Sequence, residues 1–250
     1  ENRSTPQRIS LLAITLTCIV ITALGVLILR DGGLPIYLGG MALLGFIWTF
    51  SSALMVAERP TITPRIRREL PSSFFARLFL TWLTPGPTTG LVFSIAAIAI
   101  LIVMQQASLA WSTSQGYIIG PTGMQVNRLF DDVGILYPAY LISYLVVVRL
   151  VMWAVRLRNN PRGEIGIAAL VVVAVMSALI PYSVQLHFYD YQQLTYDPIW
   201  QVTNWAFTIT TAMDRGIPQE QIGRVVAAAV ALSLISIFTA WQTTRPRRTA

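Results

Sequence analysis

The sequence contains no lysine, one cysteine and one histidine, and only 12% of its 250 residues are charged. Each shortage removes a class of protein. Soluble domains carry roughly 25% charged residues, and half that share leaves too little charge for a water-facing surface, so this surface must face lipid. The single Cys18 excludes an intrachain disulfide and any cysteine-based metal cluster; inside an apolar segment it reads as a small apolar filler. The single His187 has no second histidine with which to build a zinc site or a catalytic pair. It sits among Tyr182, Phe188, Tyr189 and Tyr191, which is the setting of an interfacial residue beside an aromatic belt. The apolar stretches also lack a Ser–His pair, facing aspartates or a His-Glu-x-x-His motif, so the Thr15, Thr17 and Thr22 hydroxyls have no base to activate them. They read as helix–helix hydrogen-bonding groups. No enzyme, cofactor or metal is expected.

What is present is apolar sequence in long blocks. Hydrophobic residues make up 54% of the chain. A helix rises 1.5 Å per residue, so crossing a hydrocarbon core of roughly 30 Å takes about 20 residues. Six stretches qualify, at about 9–29, 35–57, 88–105, 134–155, 165–185 and 222–241. The expected fold is therefore all-α, a polytopic six-helix membrane bundle forming one domain over residues 1–250. The first stretch lacks an Ala-x-Ala exit and reads as a retained span, not a signal peptide. The chain begins at Glu1 without methionine, which marks it as trimmed or as a piece of a longer polypeptide.

All eighteen basic residues are arginine, and the net charge is +7. They lie in short runs flanking apolar blocks, the membrane pattern and not that of a nucleic-acid groove. Alternating the loops across six spans puts thirteen arginines on one side: 3, 8, 59, 65, 67, 68, 77, 156, 158, 162, 245, 247 and 248. Arg30, Arg128, Arg215 and Arg224 fall on the other side, with seven of the eleven acids. The positive-inside rule then places both termini in the cytoplasm of a cell (inner) membrane protein.

Two connecting regions carry more than a turn. Between spans two and three, Glu58–Arg77 concentrates basic residues, and Phe74–Leu83 is apolar but too short to cross; a short interfacial cytoplasmic helix is expected there. Thr84–Gly90 is rich in Gly and Pro but lacks the Gly-Lys-Ser/Thr of a phosphate loop and reads as a turn. Between spans five and six, Asp197-Pro198 marks a helix start, and Ile199, Val202, Ala206, Ile209 and Met213 share one face of an expected 16-residue outer-side helix. Its polar residues, Gln201, Thr203, Asn204, Thr208, Thr210 and Thr211, either line an exit or form a solvated face; the solvated face is the simpler reading for each.

Within the spans, Arg149 is the one charge well inside an apolar block, seven residues before Arg156 and about 10 Å deeper. It is either a pairing group in a pathway or an arginine snorkelling to the headgroups, and the lack of an acid in any span favours the second. Gly223, Ala227 and Ala231 recur at spacing four in the sixth span and permit close helix approach, inside the bundle or against a partner.

This layout resembles the membrane subunit of ABC-2 type exporters: six spans, cytoplasmic termini, a coupling element between spans two and three, and an external helical element between spans five and six. The resemblance lies in architecture over most of the chain, not in a diagnostic motif. The amphipathic segment that precedes the first span in that family is not found after Glu1. The resemblance implies a permease energised by a separate cytoplasmic ATPase, since no ATP-binding motif occurs here, with Arg65, Arg67, Arg68, Glu69 and Arg77 as its coupling residues. The alternative is a non-transporting membrane scaffold or assembly subunit of a larger complex. Either reading implies lipid and a homo- or hetero-oligomeric setting, and no nucleic acid.

Overall fold

The computed structural model describes residues 4–29, 33–58, 81–83, 86–114, 129–156, 163–189 and 196–244. Among these residues all regular structure is helical. The helices are α1 (Ser4–Leu29), α2 (Gly33–Val56), α3 (Pro87–Ser114), α4 (Gly134–Arg156), α5 (Glu164–Phe188), α6 (Pro198–Gln201), α7 (Trp205–Asp214) and α8 (Gln219–Thr244). A turn of 3₁₀ helix (Thr81–Leu83) precedes α3, and a π-helical turn (Leu129–Val133) leads into α4. Six helices, α1 to α5 and α8, are long and apolar enough to cross a membrane.

The six expected spans coincide with these helices. The third is longer than its apolar block, because nothing after the polar pair Gln105–Gln106 breaks a helix before Ser114. Helix α4 is the centre of the bundle and packs against α2, α3, α5, α7 and α8. Its Leu136, Leu145, Val148 and Met152 are fully buried. A second apolar cluster, around Leu44, Trp48 and Phe93, joins α1, α2 and α3. The outward faces of α1, α5 and α8 keep Leu16, Ile21, Val172, Leu179, Leu234 and Phe238 exposed, as a lipid-facing surface requires.

Glycines set the closest approaches. A Cβ on Gly90 of α3 would lie 2.7 Å from the Met55 carbonyl, and one on Gly166 of α5 would lie 2.5 Å from the Ala53 carbonyl. Helix α2 is thereby gripped from both sides by backbone-close contacts. The stripe Gly223–Ala227–Ala231 behaves differently. All three residues are exposed, and no described atom lies within 4 Å of a Cβ built on Gly223, so this face is not used among the described helices.

The segment expected as one outer-side helix is two. Asp197 Oδ1 accepts the Ile199 N–H at 2.9 Å and starts α6, as its Asp-Pro signal predicts. The chain breaks at Val202–Asn204, where Asn204 takes an extended backbone and accepts the Phe207 N–H at 3.1 Å, capping a new helix. Gly216, with φ +75°, then turns the chain into α8. Of the expected cytoplasmic helix only the turn Thr81–Leu83 is described; the rest, with Arg65, Arg67, Arg68, Glu69 and Arg77, lies outside the described residues.

Candidate functional site

Charge and polarity collect at the two ends of the bundle. At one end, Arg8 in the first turns of α1 is 1% exposed. Its Nη2 donates to Glu58 Oε2 at 2.6 Å, its Nη1 donates to the Trp82 carbonyl at 2.6 Å, and the guanidinium lies 5.7 Å from the Phe93 ring centroid. The same Glu58 oxygen accepts the Gly86 N–H at 2.9 Å, while the Glu58 carbonyl accepts Arg156 Nη2 from the end of α4 at 2.7 Å. Thr5 adds a bond to the Leu83 carbonyl at 3.0 Å. Glu58 is the last described residue before 59–80, and Thr81–Leu83 are the first after it. Both ends of that connection are therefore fastened around Glu58, whose carboxylate meets α1 and the start of α3 and whose carbonyl meets α4.

Arginine counting treats Arg8 and Arg156 as topological anchors and gives no sign of this hub. The one readable clue is that Glu58 is the acid closing the second apolar block, on the side to which Arg8 and Arg156 are assigned.

The opposite end carries a buried amide network. Gln185 of α5, Gln201 of α6 and Asn204 at the break are all buried, as is Thr208. Gln201 Nε2 donates to Gln185 Oε1, and Asn204 Nδ2 donates to Gln201 Oε1 at 2.7 Å and to the Ala178 carbonyl at 3.1 Å. Trp205 Nε1 donates to the Ala174 carbonyl at 2.9 Å. Tyr140 and Tyr144 of α4 reach across to the Val202 and Thr203 carbonyls at 2.6 and 3.0 Å. Burial pushes the Tyr196 phenol above its ordinary pKa, outweighing the hydrogen bond with Thr208 that pulls it down.

The solvated-face reading therefore fails for Gln201, Asn204 and Thr208, which are buried, whereas Thr203 and Thr210 are exposed. Of the apolar face, Val202 and Ile209 pack against the core, whereas Ile199 and Met213 at its ends are exposed. In a lipid setting burying the amides is the stable arrangement, since unpaired amides cost more in hydrocarbon than apolar side chains do.

Between the ends, α2, α3 and α4 enclose a half-open cavity of about 340 Å³ lined by Met41, Phe46, Trp48, Leu101 and Leu141. Its lining is almost wholly apolar, with Gln105 and Tyr137 as the polar exceptions. Tyr137 is bonded to Thr49. Such a space suits an aliphatic chain.

Arg149 is half-buried, and its guanidinium reaches Thr88 in the first turn of α3 and Thr239 near the end of α8. It thus leans toward the end of the bundle that holds Glu58, but between helices. His187 is exposed beside Phe188, whose ring stacks on Trp200 with centroids 4.9 Å apart. Cys18 is a free, half-buried thiol, and among the described residues no group of three or more metal-ligating side chains occurs. Thr15 does bridge helices, accepting Trp48 Nε1 at 3.0 Å, whereas Thr17 is exposed.

No family model, curated protein or solved structure matches the chain.

Proposed function

We propose that this chain is the membrane-embedded permease subunit of an ABC-2-like transporter, energised by a separate ATPase, in an inner membrane with both termini in the cytoplasm. The observation that carries the reading is the Glu58 hub. A segment that receives force from an ATPase must be fixed at both ends to the helices it moves, and the connection 59–80 leaves and rejoins the bundle at Glu58, whose carboxylate pairs with Arg8 of α1 and accepts the Gly86 N–H just before α3, and whose carbonyl accepts Arg156 of α4. The apolar cavity supports an amphipathic cargo, for which fixed charge in the path is unnecessary.

The test is co-purification. A Walker-motif ATPase should accompany the protein in mild detergent and be lost when Arg65, Arg67 and Arg68 become Ala. If no ATPase accompanies the wild-type protein, the proposal fails. A second reading, a non-transporting assembly subunit, is favoured by the exposed Gly223–Ala227–Ala231 face of α8, which suits close packing against another chain. Under that reading the same purification yields membrane partners and no ATPase.

A further inference from the structure

The described arginines differ in how their charge is met. Arg8 has Glu58, Arg224 has Glu220, and Arg156 donates to the carbonyls of Val56 and Glu58. Arg149, like Arg156, has only neutral partners among the described residues, and its partners are two side-chain hydroxyls. Nη1 donates to Thr239 Oγ1 at 3.1 Å and Nη2 to Thr88 Oγ1 at 3.2 Å, and no described carboxylate forms an ion pair with it. Thr239 spends its own proton on the Ser236 carbonyl at 2.9 Å, so it turns a lone pair toward the guanidinium. Two hydroxyls occupy two of five N–H donors, which leaves a half-buried cation with donors to spare and, among the described residues, no counter-charge. That arrangement is costly unless an anion completes it.

We propose that Arg149, Thr88 and Thr239 form a binding site for a phosphate group whose negative charge is not neutralised by an ammonium of its own, at the end of the bundle that holds Glu58. All three residues are partly exposed, so the site is open to the headgroup layer. The planar guanidinium fork matches phosphate oxygens. Thr88 stands in the first turn of α3, where the helix dipole adds to the attraction for an anion. One turn from Arg149 on α4, Trp153 is exposed, and one turn from Thr239 on α8, Ile235 is exposed. A diacyl phosphate seated on Arg149 would find apolar surface on both sides. Basic pockets between transmembrane helices bind phospholipid headgroups in this way. The phosphate comes from an anionic phospholipid or from free phosphate. The site stands whether or not the chain is a permease, because nothing in it depends on an ATPase.

Native mass spectrometry of the detergent-purified protein, offered equal amounts of phosphatidylglycerol and phosphatidylcholine, tests the lipid arm. Wild type should retain phosphatidylglycerol preferentially. Arg149→Gln should lower that retention about tenfold, the equivalent of one charge-assisted hydrogen bond, with phosphatidylcholine unchanged. Arg224→Gln, at the other end, should change neither. In the second arm, inorganic phosphate is compared with chloride at matched ionic strength by thermal shift. A phosphate-specific stabilisation absent from Arg149→Gln, without lipid preference, identifies free phosphate as the occupant. If Arg149→Gln does not fold, the Thr88→Val, Thr239→Val pair keeps the charge, removes its positioning hydroxyls and should still lower retention or thermal shift about threefold. Equal retention of both lipids together with no phosphate-specific shift overturns the site, and so does wild-type behaviour of the variants.

Discussion

At the scale of single residues, Arg8 shows how far an ion pair can be from an interchangeable pair of charges. Its guanidinium serves a carboxylate and two carbonyls, and the carboxylate serves a guanidinium and a backbone N–H. Replacing Arg8 by Ala strands Glu58 beside apolar helix ends and should destabilise the protein by about 3–5 kcal/mol, read as loss of thermal stability in detergent. The reversed pair, Arg8→Glu with Glu58→Arg, should not restore stability. The Trp82 and Gly86 carbonyls would then face a carboxylate and the Gly86 N–H a guanidinium. Recovery to wild-type melting would mean that the charges alone matter. Apart from the position of Glu58 at the close of the second apolar block, this was not legible from the sequence, because Arg8 and its partners are 50 to 78 positions apart and only assembled helices bring them together.

At the scale of elements, the six long helices were readable, all but the C-terminal end of α3 to within about five residues, since twenty apolar residues in a row have few alternatives to crossing a bilayer. The α6–α7 pair was readable as helical but not as broken. Hydrophobic periodicity runs straight through Val202–Asn204, and an asparagine in mid-pattern looks like an ordinary polar residue until its side chain is seen capping the Phe207 N–H. The burial of Gln201, Asn204 and Thr208 was missed for a related reason. A polar stripe is assigned to water by a rule learned on soluble helices, whereas here it meets Gln185 and the carbonyls of α5. Asn204→Ala removes the cap and two donor bonds and should cost roughly 2–4 kcal/mol. Asn204→Asp keeps the cap acceptor but not the donors, and should recover only part of the loss. The exposed Thr210→Ala should stay within about 0.5 kcal/mol of wild type. Urea or thermal unfolding of the detergent-solubilised variants checks all three, and full recovery by Asp would reduce Asn204 to a cap.

At the scale of the whole molecule, arginine asymmetry predicts orientation, and labelling tests it. With Cys18 replaced by Ala, a single cysteine at Ser72 should react with an impermeant thiol reagent only from the cytoplasmic face, and one at the exposed Thr210 only from the opposite face. Labelling of Ser72→Cys from outside would reverse the map. The candidate coupling residues Arg65, Arg67, Arg68, Glu69 and Arg77 lie outside the described residues. The attachment points of their segment do not, and these were the part that periodicity and charge counting could not supply.

The Glu58 hub also imposes an order on synthesis. Its members enter the growing chain at positions 8, 58, 82, 86 and 156, so Arg8 reaches the bilayer long before the groups that accept its hydrogen bonds. Its charge is first met when the end of α2 emerges, and its carbonyl acceptors follow with Trp82 and Gly86. The last bond, from Arg156, waits for all of α4. The α1–α2 hairpin holds both members of the ion pair, whereas the carbonyl acceptors of Arg8 and the Arg156 donor come only with later residues, in chain order.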